Sequence, residues 1–255
     1  MIIDAHIHLT ADGRWFDTAH DASVDRALRE MDKAGVDKAA VIPVADKHNR
    51  AFCIETAARR NDRFFAGFTL TSLSGDELDE FRTTLDQGAC SFLKVHPRQS
   101  GISPANPGLD RFLEVAGERA APVVFCTYLR GPRVPMNDLT PLVFDGIARR
   151  HPNLKIVLAH AGSYRAMDAL AVAQSHANVY LDMSHVLEYF RGSSLERDFL
   201  FAIRRLDRKV VYGSDFPEYP IDRYLAHARD VAAQIEKTDM TGFFGRRAIE
   251  LYRCG

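Results

Sequence analysis

Eight short runs of apolar and β-branched residues alternate with longer amphipathic segments along the whole chain, without a low-complexity linker. The runs cover residues 1–9, 38–44, 64–71, 91–96, 123–129, 155–160, 179–183 and 210–213. Each is almost continuously apolar, as expected for parallel strands that are buried on both faces. The intervening segments carry apolar side chains on one helical face, as the spacing of Val24, Leu28 and Met31 illustrates. Eight such units close most simply into one (β/α)8 TIM barrel spanning residues 1–255, with an extra C-terminal helix over 240–252. An open doubly wound sheet is the alternative.

Helix boundaries can also be predicted from local signals. Ser74 precedes Glu77 by three residues and Ser193 precedes Glu196 by three residues, the spacing of a capping box at a helix start. Gly35 lies where a helix needs a left-handed residue to end. These signals agree with the helical periodicity of the segments between the strands.

Composition excludes several functional classes. The 33 basic residues nearly balance the 34 acidic ones, so no overall field favours nucleic acid or an anionic membrane. The cysteines form no Cys-x-x-Cys pair, and we expect four free thiols: Cys53, Cys90, Cys126 and Cys254. Neither a secretory signal pattern nor an apolar run of membrane-spanning length is recognisable, so we expect a cytoplasmic protein. A homo-oligomer is compatible with the sequence.

Polar residues occur where three of the predicted strands end. His6 and His8 end strand one, His160 ends strand six and Asp215 ends strand eight. Alternation along a strand puts His6 and His8 on the same side, and barrel enzymes carry their chemistry at the carboxyl ends of the strands. Taken singly, each residue is most simply a hydrogen-bonded wall or turn residue. Together, three imidazoles and a carboxylate at one mouth form a suitable shell for a divalent metal.

Further candidates for substrate binding lie at the same mouth. Lys94 and His96 alternate at the end of strand four, and Arg98 follows them. Arginine offers a fork to a carboxylate and lysine a point charge, so we expect this segment to bind an anionic group of the substrate. His185, after strand seven, and Arg130, after strand five, are additional candidates. A surface salt bridge is the alternative for Arg98, and simple solvation the alternative for Arg130.

The motifs resemble the amidohydrolase superfamily, and more closely its branch of proteins similar to aminocarboxymuconate-semialdehyde decarboxylase. The resemblance rests on IDAHIH at residues 3–8, FLKVHP at 92–97, LAHAG at 158–162 and YGSDFP at 212–217. It implies that His6, His8 and Asp215 bind a metal and that Asp215 also shuttles protons. It further implies that His160 either binds a second metal, polarises the substrate or helps to activate water.

The sequence departs from the family pattern on strand five. The family usually presents a metal-binding histidine there, whereas this chain has PVVFCT at 122–127, with Cys126 in that place. A thiolate is a good zinc ligand, but a buried cysteine is equally common as inert packing. If Cys126 is inert, the site loses one ligand and holds one metal, a weakly bound metal or none. A carboxylated Lys94 that bridges two metals, as in some superfamily members, is the less favoured option.

These observations predict a metal-dependent hydrolase that acts on a small carbonyl compound, such as an amide, a lactone or another ester. We expect a divalent ion, zinc first and manganese as the alternative, to activate water while Asp215 transfers the proton. A decarboxylase or hydratase of an unsaturated carboxylic acid is the second hypothesis, with Lys94, Arg98 or Arg130 on the carboxylate. A catalytically silent ligand-binding barrel, or Cys126 as nucleophile with His160 or His96 as base, are further alternatives.

Overall fold

The computed structural model describes residues 1–131, 133–235 and 239–254, and it contains an eight-stranded parallel sheet in the order β1 to β8. The strands are β1 (Ile3–Ile7), β2 (Lys38–Val41), β3 (Phe64–Thr69), β4 (Phe92–Val95), β5 (Val123–Cys126), β6 (Ile156–Ala159), β7 (Val179–Asp182) and β8 (Val210–Val211). The segment after β8 closes the sheet on β1, because Ala5 N donates to Tyr212 O at 3.0 Å and Asp215 N donates to His6 O at 2.9 Å. The predicted TIM barrel is therefore confirmed, and the open sheet is excluded.

Helices follow the strands and cover the outside of the barrel. They are α1 (Val24–Ala34), α2 (Lys47–Arg59), α3 (Gly75–Asp86), α4 (Pro97–Ser100), α5 (Asp110–Glu118), α6 (Val143–Arg150), α7 (Ala166–Ser175), α8 (Val186–Tyr189), α9 (Ser194–Leu206), α10 (Ile221–Ala233) and α11 (Arg247–Tyr252). A single π-helical turn, Gly242–Arg246, leads into α11. The extra C-terminal helix predicted from the sequence is thus present.

The apolar core has two parts, which restrict polar chemistry to one end of the barrel. The larger part packs the outer faces of the strands against the helices. The smaller part fills the interior with residues such as Val124 and Val157, and Tyr252 of α11 belongs to it. The Tyr252 ring lies 5.0 Å from Phe92 and 5.6 Å from Phe65, centroid to centroid. With the lower interior filled in this way, the polar side chains collect at the carboxyl ends of the strands.

The helix boundary signals are only partly confirmed. Ser74 caps α3 by accepting a hydrogen bond from Glu77 N, but the Glu77 carboxylate accepts from Thr71 N instead of Ser74 N, so only half of this capping box forms. Gly35 ends α1 in the left-handed region with φ 70°. The second predicted capping box, at Ser193, does not form. Helix α9 begins where predicted, but the Ser193 hydroxyl donates to Phe190 O instead of capping the helix. Among the helices of the described ranges, none has the length and apolarity needed to cross a membrane.

Candidate metal centre

Three potential ligand atoms converge at the mouth of the barrel. Asp215 Oδ1 lies 3.5 Å from His6 Nε2 and 3.4 Å from His8 Nε2. One ligand atom from each of these residues lies within 4.8 Å of the others. All three side chains are buried. The alternation of β1 and the turn after β8 therefore place two imidazoles and a carboxylate around one point.

Hydrogen bonds behind the imidazoles determine which nitrogen faces this point. His6 Nδ1 lies 2.6 Å from Asp182 Oδ2, and His8 Nδ1 lies 2.7 Å from Ile42 O. Because both partners are acceptors, each ring carries its proton on Nδ1 and keeps the lone pair of Nε2 free. Burial and the Lys94 ammonium lower the pKa of His6 to about 3, so that ring is neutral at pH 7. Neutral imidazoles with a free Nε2 are suited to bind a metal.

Two of the converging atoms are buried without a partner. His6 Nε2 and Asp215 Oδ1 accept or donate no hydrogen bond within the described part of the chain. Buried polar atoms are rarely left in this state, and an ion is a common explanation. Two nitrogens and one carboxylate oxygen suit zinc and similar divalent ions, with further positions open for water or substrate. The residues present therefore fit a divalent metal.

The backbone around Asp215 is shaped by close contacts. Asp215 has φ 64°, in the left-handed region, and its second oxygen Oδ2 lies 3.3 Å from His185 Nδ1. A Cβ at Gly213 would lie 2.9 Å from His6 Cβ and 2.9 Å from Asp182 Oδ1, so only glycine fits between these side chains.

Burial opposes ionisation of Asp215, but the nearby His160 and His185 outweigh it and hold its pKa well below the ordinary value. Asp215 is therefore a carboxylate at neutral pH.

His160 lies next to the three converging residues without joining their cluster. Its ring centroid is 5.0 Å from that of His6, and its Nδ1 lies 3.2 Å from Ser184 O. Burial opposes a charge on His160, but the carboxylate of Asp215 outweighs it and raises the pKa of His160. A side-chain hydrogen bond with Cys126 also raises the pKa of His160, so the ring contacts Cys126 as well as Ser184. The cavity at the barrel mouth is lined in part by His160.

Sequence reasoning missed two residues at the end of β7. Asp182 accepts from His6 Nδ1 and also from Ser184 N at 2.8 Å. Ser184 Oγ lies 3.0 Å from Asp182 Oδ2 and 3.1 Å from each Nδ1 of His6 and His160. This buried network orients both imidazoles at once. The available signal was an aspartate at the end of an otherwise apolar strand.

Cys126 lies at the end of β5, fully buried beneath basic side chains. It is outside the cluster of converging ligand atoms and does not line the cavity. Burial alone would raise the pKa of the Cys126 thiol, but three basic neighbours outweigh it and hold that pKa well below its ordinary value. These neighbours are His96, Arg98 and His160. The geometry therefore separates Cys126 from the His6, His8 and Asp215 atoms.

A cavity of about 450 Å³ opens above the converging atoms. His8, His160 and Asp215 line it on one side. Other residues in its wall are those predicted for substrate binding, namely His96, Arg98, Arg130 and His185. The rest of the wall consists of Gln99, Glu218 and five aromatic residues: Trp15, Phe16, Tyr128, Tyr189 and Tyr219. Lys94, by contrast, is fully buried below the cavity and does not line it.

Comparison with known proteins assigns the chain to a family. A family model described as amidohydrolase matches residues 3–254. The chain belongs to the amidohydrolase family. A comparison with curated proteins gives no match.

Solved structures of low sequence identity share the amidohydrolase fold of this chain. A TIM-barrel protein from Bordetella bronchiseptica is 17% identical with a TM-score of 0.82, over 99% of this chain and 98% of that one. A Burkholderia multivorans amidohydrolase with bound zinc is 14% identical with a TM-score of 0.73, over 99% of both chains. The 2,6-dihydroxybenzoate decarboxylase from Rhizobium is 16% identical with a TM-score of 0.71, over 99% of this chain and 98% of that one. The names of these similar structures thus include an amidohydrolase and a decarboxylase.

Proposed function

We propose that this amidohydrolase is a metal-dependent hydrolase of a small carbonyl compound, such as an amide, a lactone or another ester. The observation that carries the proposal is the convergence of His6 Nε2, His8 Nε2 and Asp215 Oδ1, two of which lack a partner in the ranges that the structure describes. Zinc is the ion we expect, because the donors suit it and the similar Burkholderia multivorans amidohydrolase binds it.

The residues of the site divide the chemistry among them. A divalent ion at this point would supply Lewis-acid polarisation of the substrate carbonyl and make water more acidic. Asp215, held as a carboxylate, would accept the proton of the attacking water and return it to the leaving group. His160 lines the cavity beside it and would polarise the carbonyl oxygen. Asp182 and Ser184 would keep the imidazoles of His6 and His160 in their required orientation.

Decarboxylation of an unsaturated carboxylic acid is the second candidate. Arg98 and Arg130 give the cavity two cationic groups that suit a carboxylate, and His96 lines it beside them. The similarity to the Rhizobium decarboxylase supports this candidate as well. Cys126 is poorly placed to act as a nucleophile, because its thiol is fully buried and does not line the cavity.

The test is a screen of lactones, amides, esters and unsaturated carboxylic acids with wild-type protein and the Asp215→Asn variant. An amide can still offer an oxygen to the ion but cannot transfer the proton at neutral pH, so turnover should fall by about 10²-fold or more. Asp168→Asn, at a surface ion pair with Arg165, is the matched control and should turn over normally. Release of CO₂ instead of a hydrolysis product would favour the second candidate. Wild-type turnover by Asp215→Asn on a confirmed substrate would remove Asp215 from the proton-transfer role.

A further inference from the structure

The loop that follows β1 places the ring of Trp15 on the imidazole of His8. The two ring centroids are 4.9 Å apart and the planes are inclined by only 27°. Trp15 is 4% exposed, although it belongs to a loop at the mouth of the barrel. Stacked rings at this separation attract each other, and the larger ring restricts rotation of the smaller one. The indole therefore covers one face of the His8 imidazole.

A carboxylate from the segment after β8 holds the indole in place. Trp15 Nε1 donates to Glu218 Oε1 at 2.7 Å. The second oxygen, Glu218 Oε2, lies 3.9 Å from His20 Nε2, and Glu218 N donates to Asp215 O at 3.0 Å. A hydrogen bond to a carboxylate is stronger than one between neutral groups. The indole thus connects the end of β1 with the turn that carries Asp215.

The main chain of the loop is fixed independently of these ring contacts. Thr10 N donates to Ala22 O at 3.1 Å, which closes the base of the loop. Inside it, the Thr18 hydroxyl donates to Trp15 O at 2.6 Å. The backbone of Trp15 is therefore held by the loop, and the position of its side chain is determined by the imidazole on one side and the carboxylate on the other.

The orientation of His8 requires a second restraint besides its hydrogen bond. His8 Nδ1 lies 2.7 Å from Ile42 O, which holds one edge of the ring. One contact of this kind leaves the ring plane free to swing about it, and the position of Nε2 changes with the plane. In the structure, Nε2 lies 3.4 Å from Asp215 Oδ1. The stacked indole of Trp15 is the contact that opposes this swing.

We propose that Trp15 and Glu218 are positioning residues for His8: Glu218 fixes the indole, and the indole fixes the ring plane so that Nε2 points toward Asp215 Oδ1. Neither residue belongs to the three converging ligand residues. The effect on metal affinity rests on the proposed function, because that function requires an ion at His8. The restraint on the imidazole itself requires no ion.

NMR on metal-free protein tests the restraint through two ring protons. Trp15 is the single tryptophan of the chain, so the protein has one indole N–H signal, and the His8→Asn variant identifies the Nδ1–H signal of His8 by its loss. In Glu218→Ala both protons should exchange with solvent about tenfold faster or more, because the indole loses its acceptor and the imidazole its restraint. Glu218→Gln keeps a side-chain oxygen and should retain most of the protection.

Zinc affinity, measured by competition with a chelating dye, tests the same pair at the metal centre. Glu218→Ala should weaken zinc binding by about tenfold, as expected when the support of a ligand is removed. In a Trp15→Phe background, which keeps a stacking ring but lacks the N–H donor, Glu218→Ala should have little further effect. Glu55→Ala removes an exposed carboxylate that pairs with Arg59, and this control should bind zinc like the wild type.

The outcomes separate this inference from the proposed function. Unchanged exchange of the His8 proton in Glu218→Ala, or unchanged affinity in protein that binds zinc, would overturn the inference and leave the metal centre intact. Equal losses of affinity in the wild-type and Trp15→Phe backgrounds would also contradict it, because Glu218 would then act by its charge and not through the indole. Wild-type protein that takes up no zinc, but in which Glu218→Ala frees the His8 proton, would support the restraint and overturn the proposed function.

Glu218→Gln provides the decision if circular dichroism shows that Trp15→Phe does not fold. Glutamine removes the charge of Glu218 but keeps an oxygen that can accept from Trp15 Nε1. Zinc affinity close to that of the wild type would support the inference. A loss as large as that of Glu218→Ala would contradict it.

Discussion

Asp182 determines which nitrogen of His6 faces the candidate metal centre. Its Oδ2 lies 2.6 Å from His6 Nδ1, and Ser184 N and Oγ hold the carboxylate in place. An acceptor in this position fixes the tautomer, makes the imidazole a better ligand and prevents rotation of the ring. The metal affinity that we propose for the site should therefore depend on a residue outside the three converging ligand atoms.

Asp182→Asn should weaken metal binding without unfolding the barrel. An amide of the same shape can offer a neutral oxygen, but it no longer stabilises the protonated Nδ1 of His6, so we expect a loss of about 10- to 100-fold in metal affinity. Competition with a metal-binding dye measures the affinity, and circular dichroism checks the fold. An affinity equal to that of wild type would show that the contact with His6 does not tune the site.

Cys126 should prove dispensable for metal binding. Because it lies outside the three converging atoms, Cys126→Ser should leave metal content nearly unchanged. Cys126→His should instead disturb the packed interior through its size, at a cost of about 1–3 kcal/mol of unfolding free energy. Elemental analysis and urea denaturation measure the two effects. Loss of metal in Cys126→Ser, with a gain in Cys126→His, would establish the thiolate as a ligand after all.

At the residue scale, the sequence predicts the site residues that lie at the end of a strand and alternate along it. His6 and His8 are separated by one residue on a predicted strand, so their shared direction can be predicted. Asp182 and Ser184 could not be assigned in this way, because their role depends on the contact of β7 with a residue of β1 that is 176 positions away. Such contacts depend on barrel closure and not on local spacing.

Two helix starts with the same sequence pattern behave differently in the structure. Ser74 Oγ accepts from Glu77 N at 3.2 Å, which satisfies one free donor of α3. At α9, Gly192 N donates to Glu196 Oε2 at 2.7 Å, and the Ser193 hydroxyl turns back to Phe190 O. The glutamate is thus engaged one residue earlier than the capping box requires. The sequence predicts where these helices begin, but not which cap forms.

The two serines provide a matched pair for measuring this difference. Ser74→Ala removes a cap and should lower the free energy of unfolding by about 1 kcal/mol. Ser193→Ala removes a hydroxyl that does not cap its helix, so the loss should be smaller, about 0.5 kcal/mol or less. Urea denaturation of both variants gives the values. Equal losses would mean that the hydrogen bond to Glu77 N does not stabilise α3 beyond an ordinary surface contact.

The architecture of the whole molecule can largely be predicted from the sequence. Apolar runs that alternate repeatedly with amphipathic segments can pack into only a few compact folds. The sequence predicts the C-terminal helix as well, but not the packing of its Tyr252 ring against Phe92 in the barrel interior. The cavity could not be derived, since its walls come from loops after β1, β4, β5, β6, β7 and β8 that meet only when the barrel closes. For the same reason, the sequence identifies Arg98 as a candidate without showing that its Nε is buried and has no hydrogen-bond partner among the described residues.

Metal content of the purified protein tests the central claim most directly. After purification without chelator and supplementation with zinc, elemental analysis should give roughly one divalent ion per chain, because three side chains form one site. His6→Ala and His8→Ala should lose the ion while circular dichroism shows an intact barrel, since residues at the mouth contribute little to the packed interior. Metal well below one ion per chain in the supplemented wild type, or wild-type occupancy in both variants, would contradict the assignment of His6, His8 and Asp215 as the metal site.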